Sequence, residues 1–234
     1  MNGENADDLA LSKWREPTSD MIALACRMFR DIKETQETTT LEVSVGPAVR
    51  SMGIYFPKRL ELRSRLIGVT AATFLIWAWG QALAEATGVD SVIVEQLRAG
   101  APQLGTAGFT MNTLPVVIHR SATGEMIQSL RDLRARLLAL REIEAVSPDD
   151  FSPGIFPNMD VPGTSMIMIE RATLRHAVGA SDLIESLVLH QGKGETLIAT
   201  AYLLPDLQLE VEGPGRHHLL EAWIGVMERG IDPG

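Results

Sequence analysis

The sequence predicts an α/β (α+β) chain in which a mixed sheet carries helices packed mainly on one face, and three observations predict it. Short β-branched runs such as SVIVEQL at 91–97 occur beside longer segments whose apolar residues recur every three or four positions. These strand-like and helix-like stretches are interleaved along the chain, not grouped by type. The composition, 45% apolar and 22% charged over 234 residues, is that of a chain able to bury one substantial core.

Residues 1–18 are polar and acidic without periodicity and read as a loose lead-in. Ser19 caps a helix whose Ile22, Ala25, Met28, Phe29 and Ile32 share a face, and the polar run KETQETTT follows as a linker. The chain thus divides into a lead-in with one helix at 1–40 and a single domain at 41–234. Residues 41–49 form a possible strand ending at Pro47. The apolar stretch Leu66 to Ala86 starts a helix capped by Thr70 and closed by Gly88. Gln81 and Glu85 interrupt its apolar character, so it reads as a buried core helix and not a membrane span.

SVIVEQL is then an interior strand, RAGAPQLGTAG at 98–108 a loop, and LPVVIHR at 114–120 a strand with Pro115 near its start. A helix from about Thr123 places Ile127, Leu130, Leu133, Leu137 and Leu140 on one face. Four prolines make 147–163 a long loop. MIMIE at 166–170 is a strand. LIESLVLH at 183–190 and ETLIATAYLL at 195–204 suggest a hairpin turned at Gln191, Gly192, Lys193 and Gly194. Pro214 opens a last helix that Gly230 terminates. No internal repeat is visible.

The net charge of −9 supplies no phosphate-neutralising surface, which argues against nucleic acid as a partner. Cys26 is the only cysteine, so no intrachain disulfide forms, and no basic segment followed by an apolar stretch opens the chain. A cytoplasmic protein is expected. His217 and His218 are adjacent, and adjacent helical side chains diverge by about 100°, so they do not converge on one metal. His119, His176 and His190 have no cysteine or carboxylate at ligand spacing. Asp149 and Asp150 read as a solvated turn, and Gly192-Lys193-Gly194 lacks the spacer of a phosphate loop. There is no Gly-x-Ser-x-Gly elbow, and Cys26 falls on a helix outside any activating motif. No metal or bound cofactor is expected, and no self-contained catalytic constellation is present.

The run GFTMNTLPVVIH at 108–119 stands out. Asn112 and Thr113 are weak strand formers beside a proline, and their amide and hydroxyl are suited to fixing a bend and to presenting donors and acceptors to a cavity. A capped strand entrance explains the same residues equally well. The segment from Thr70 to Arg120 resembles the second lobe of the condensation domains of nonribosomal peptide synthetases, which belong to the chloramphenicol acetyltransferase-like superfamily. Gly108, Asn112 and Thr113 match that family's Gly-x-Phe-Val-Asn-Thr motif. The segment RSATGEMIQSLRDLRARLLALRE is similar to the helix that follows it, and residues 187–213 with the last helix resemble its closing hairpin and helix. The likeness spans roughly residues 40–230. Thr110 departs from the usual phenylalanine, Val117 from a common arginine, and Arg98-Ala99-Gly100-Ala101 from a Gly-Arg order.

The resemblance implies a single chloramphenicol-acetyltransferase-like lobe with Gly108, Asn112 and Thr113 lining a substrate tunnel. The family's His-His-x-x-x-Asp-Gly motif belongs to a first lobe, and His217-His218 followed by Leu-Leu-Glu-Ala-Trp is not that motif. The resemblance therefore implies a subunit of a split acyltransferase, inactive alone. Its partners would be a first-lobe condensation protein and a peptidyl or aminoacyl carrier protein whose phosphopantetheine bears the thioester. Two other readings stay open: a noncatalytic docking module for carrier proteins, and a self-associating protein that binds a small molecule as a homo-oligomer.

Overall fold

The structure, a computed structural model, describes residues 19–29, 46–99, 111–122, 124–143, 165–170, 197–203 and 206–232. Six strands, β1 (Ala48–Ser51), β2 (Ser91–Ala99), β3 (Met111–His119), β4 (Ser165–Glu170), β5 (Leu197–Tyr202) and β6 (Gln208–Glu212), make one sheet. Their order is β1-β6-β5-β4-β2-β3. The sheet is mixed: β2, β4 and β5 run parallel, whereas β2–β3, β5–β6 and β1–β6 are antiparallel pairs. The helices are α1 (Ser19–Phe29), α2 (Phe56–Ile67), α3 (Ala71–Thr87), α4 (Met126–Ala139), which continues as a 3-10 turn at Leu140–Ile143, and α5 (Arg216–Ile231).

Helix α3 organises the core. Thr70 stands in extended conformation before it and accepts the Thr73 N–H at 3.0 Å, while Gly88 ends it in the left-handed region at φ 73°. The helix lies between the sheet and helices α2, α4 and α5, so it is apolar on nearly every side and buried from Thr73 to Ala84. Its aromatic side chains also carry polar handles. The Trp77 indole donates to Ser129 Oγ of α4 at 3.0 Å, and Trp79 donates to Ser165 Oγ of β4 at 2.7 Å. Trp223 of α5 packs its ring 5.1 Å from that of Trp79 and donates to the Leu75 carbonyl at 3.2 Å. Gln81, which the sequence marked as a polar interruption, is buried. Its amide donates to the His119 carbonyl at 2.8 Å and its oxygen accepts from Ser121 N and Oγ, fastening the end of β3 to the helix.

Several expectations are corrected. Leu66 and Ile67 belong to the separate helix α2, which the sequence reading passed over. Gly68, at φ 84°, ends α2 with its N–H on the Ser64 and Arg65 carbonyls, and the chain bends by 95° before α3. The first strand begins after Pro47 instead of ending there, because proline has no N–H to give to a ladder; residues 41–45 lie outside the described residues. Both edges of β5 are occupied, by β4 and β6, so its hairpin partner is β6 and not 183–190, which lies outside the described residues. Ile127 is exposed on α4, whereas Leu130, Leu133 and Leu140 are buried. Gly230 does not terminate α5: the helix runs through Ile231, and a Cβ at Gly230 would stand 2.7 Å from Phe74 Cζ. Close packing, not chain reversal, accounts for that glycine.

Among the described residues no single helix is long and apolar enough to cross a membrane. Arg98 and Ala99, expected to open the loop at 98–108, instead continue β2 in its ladder with β3. The rest of that loop, the expected loop at 147–163, the linker at 33–40, and Asp149, Asp150, His176, His190 and Gly192 to Gly194 all lie outside the described residues.

Candidate functional site

Alternation along the strands divides the sheet into two unlike faces. Val92 and Val94 of β2, Leu114, Val116 and Ile118 of β3, Ile167 of β4, Ala199 and Ala201 of β5, and Leu209 and Val211 of β6 are buried under the helices. The helices that pack on strands, α3, α4 and α5, do so on this face. The other face carries the polar chemistry.

On that second face the register makes transverse rows. Glu95 of β2 stands opposite Pro115 of β3 and beside Met166 of β4, and Met166 stands beside Ile198 of β5. Ile93 and Leu97 precede and follow Glu95 on the same face of its own strand. A carboxyl ringed by four apolar side chains loses hydration that favours its charged form, and burial accordingly holds Glu95 above the usual carboxylate range. A group of this kind keeps its proton closer to neutrality than a solvated glutamate and can serve as a hydrogen-bond donor or as a general acid or base.

A second carboxylate, Glu210 of β6, is treated differently. The Tyr202 hydroxyl donates to its Oε2 at 3.2 Å and the Gln208 amide to its Oε1 at 3.0 Å, with the buried Thr200 opposite it in the register. These neutral donors orient the carboxylate. At the outer end of the same face, Ser91 Oγ and His119 Nδ1 lie 2.8 Å apart across β2 and β3. Partial burial, and second the Arg136 cation, hold His119 below its usual pKa, which favours a neutral ring.

Of the residues that the sequence singled out, Thr113 is half-buried on this face, opposite Leu97 and diagonal to Glu95 across the β2–β3 pair. Asn112 pairs with Arg98 in the regular ladder of β3, so the backbone at 112–113 makes no bend before the strand. The reading of a bent or capped strand entrance is corrected: β3 is an edge strand, where Pro115 and weak strand formers are tolerated. Gly108 lies outside the described residues. His217 and His218 are exposed on α5. No group of three or more His, Cys, Asp and Glu side chains able to hold a metal occurs among the described residues. Glu95 and Glu210 escaped the sequence reading, although a lone glutamate in the β-branched run SVIVEQL and the alternation in QLEVE were both visible signals.

No protein-family model matches the chain, and no curated protein matches it by sequence. Solved structures do match. The condensation domain from the monacolin K polyketide synthase MokA is similar at TM-score 0.66 and 14% identity, over 97% of this chain and 60% of that one. The first condensation domain of the CDA synthetase is similar at TM-score 0.68 and 13% identity, over 97% and 52%. The PapA2 acyl transferase is similar at TM-score 0.64 and 14% identity, over 99% and 53%. The chain spans about half to three fifths of the length of these structures. Its six-stranded mixed sheet with helices is thus the α/β fold of condensation domains, shared over about half of their length.

Proposed function

We propose that this chain is the second-lobe subunit of a split condensation-type acyltransferase that acts on carrier-protein-bound thioesters in nonribosomal peptide biosynthesis. The observation that carries the reading is the likeness to condensation domains along nearly all of this chain but only about half of theirs. The two-faced sheet supports it. The second face, on which no described helix packs and which carries Glu95, Thr113 and Glu210, is the surface we assign to a first lobe from a partner chain, the two enclosing a substrate channel beside the edge strand that holds Asn112.

In that assembly an acceptor amine attacks the donor thioester carbonyl. A C–N bond forms, the C–S bond breaks, and the phosphopantetheine thiolate leaves with the proton that the amine gives up. The partner's His-His-x-x-x-Asp-Gly motif supplies the base. This chain's polar groups position the amine and the carbonyl, which is the larger part of the work when both reactants arrive tethered.

The test is reconstitution. The chain, a partner protein bearing the histidine motif, and loaded donor and acceptor carrier proteins are combined, and the condensed product is followed by mass spectrometry. Product should form with both lobes and with neither alone. Carrier-protein binding without product in any mixture would assign the noncatalytic docking role instead, and product from this chain alone would overturn the split reading.

A further inference from the structure

Ser91 and His119 form the outermost register pair of the β2–β3 ladder, 28 positions apart along the chain and directly opposite in space. Opposed residues of an antiparallel pair carry their Cβ atoms about 5 Å apart on one face of the sheet. Here that geometry brings a hydroxyl to an imidazole, with Ser91 Oγ 2.8 Å from His119 Nδ1, a pairing that spacing in the sequence does not reveal. The backbone beneath the pair is fastened. The Gln81 amide donates to the His119 carbonyl at 2.8 Å, and the Arg120 N–H donates to the Asp90 carbonyl at 2.8 Å.

A serine hydroxyl within hydrogen-bond reach of a ring nitrogen is the arrangement that makes serine a nucleophile. It is productive when the ring is neutral with its proton on Nε2, because Nδ1 is then the acceptor and the hydroxyl the donor. Partial burial, and second the Arg136 cation, favour that neutral ring. Arg136 is held in place by its bond to the Val117 carbonyl at 2.8 Å, and its charge has the sign that a developing oxyanion calls for. Ser91 is half-buried and His119 exposed, so a reagent and water both have access. The next row on the same face, Ile93 opposite Val117, is half-buried and apolar, and it offers a floor to an aliphatic chain.

We propose that Ser91 and His119 are a hydrolytic dyad that takes an aliphatic acyl group from a thioester onto Ser91 Oγ and releases it to water. In the first step Ser91 Oγ attacks the thioester carbonyl, the O–C bond forms and the C–S bond breaks. The hydroxyl proton passes to His119 Nδ1 and from there to the departing thiolate. In the second step His119 takes a proton from water, which attacks the ester carbonyl; the bond to Ser91 breaks and the proton returns to Oγ. The net change is thioester and water to carboxylic acid and thiol, with no oxidant or cofactor required. The activity needs neither a first lobe nor its histidine motif, so it stands apart from the function proposed above.

The test uses the full chain and S-butyryl-N-acetylcysteamine near neutral pH. Free thiol should be released faster than in buffer, and peptide mapping by mass spectrometry after an acid quench should place a butyryl ester on Ser91. Ser91→Ala should abolish both, His119→Gln should slow thiol release by about a hundredfold or more, and Ser91→Cys should still take up the acyl group. The S-succinyl probe should react about tenfold more slowly, because its carboxylate would lie on Ile93 and Val117. Circular dichroism should show the variants folded, and the ester mapped on the wild-type chain decides the point for any variant that is not. No thiol release above buffer, release that survives Ser91→Ala or His119→Gln, or a butyryl group on lysine in place of Ser91 overturns the dyad; equal rates with the succinyl probe overturn the aliphatic class. Hydrolysis by the isolated chain is measured apart from the condensed product of the two-lobe mixture, so failure here leaves the acyltransferase reading standing, and failure of that reading leaves the dyad.

Discussion

Gly80 of α3 lies so close to Ile118 of β3 that a Cβ on the glycine would stand 2.4 Å from Ile118 Cδ1 and 2.8 Å from its Cβ. The helix therefore seats on the sheet through bare backbone. Gly80→Ala gains about 1 kcal/mol of helix propensity but forces α3 and β3 apart, an overpacking cost of about 1–3 kcal/mol or more. Net destabilisation is expected in urea unfolding. Because the obstruction is the isoleucine side chain, the double variant with Ile118→Ala should lose less than the two single variants added together.

Trp79 and Ser165 tie the same helix to β4, and both are buried. Ser165→Ala removes the acceptor and leaves the indole N–H in an apolar core, at a cost of about 1–3 kcal/mol. Denaturant midpoints should fall with the slope unchanged. An unaltered midpoint would show that the indole finds another acceptor.

The sequence made some of this legible and hid the rest for physical reasons. Helix α3 could be read to its caps because Thr70 and Gly88 act locally, and the interior strand SVIVEQL because burial on both sides favours β-branched residues. Helix α2 was missed because its buried stripe of Phe56, Leu60, Ser64 and Ile67 is thin and two exposed leucines, Leu62 and Leu66, stand among the charged residues of its other faces. Gly230 was misread because a glycine demanded by Phe74, a neighbour more than 150 positions away, looks like a local stop. Strand β6 is only five residues long, and its pairing with β5 could not be weighed against a competing hairpin. The likeness of the whole to a condensation domain was legible from one short motif. Ile93 and Leu97 beside Glu95 could be read along β2, but Pro115 and Met166, which flank it from β3 and β4, could not.

Glu95 gives a pH-dependent stability of defined sign. Its pKa in the unfolded chain is near 4.5 and is raised in the native state, so the folded protein binds that proton more tightly. Its contribution is fully present below pH 4.5, is lost as pH rises through the native pKa, and stays lost above it. Glu95→Gln, which cannot ionise, should therefore gain in Tm relative to wild type at pH 8, and the difference should shrink steadily toward pH 4. Parallel curves for the two proteins would mean that Glu95 is solvated in the native state.

Asn112 and Thr113 give the prediction that separates a catalytic lobe from a docking module. Both sit in the edge strand β3, and Thr113 is half-buried on the face where Glu95 lies. Substitution of Thr113 should leave the Tm within about a degree, since changes away from packed or caged positions usually cost under about 0.5 kcal/mol. In the reconstituted condensation, Asn112→Ala should lower the single-turnover rate about tenfold, equivalent to about 1.4 kcal/mol of transition-state stabilisation, with carrier-protein affinity unchanged. Thr113→Ser should retain most of the rate and Thr113→Val should not, because the hydroxyl and not the methyl is the group that can meet the substrate. If both variants turn over as wild type does while the assembly remains active, then the edge of β3 is scaffold, and the channel must be lined from the Glu95 and Glu210 side of the sheet.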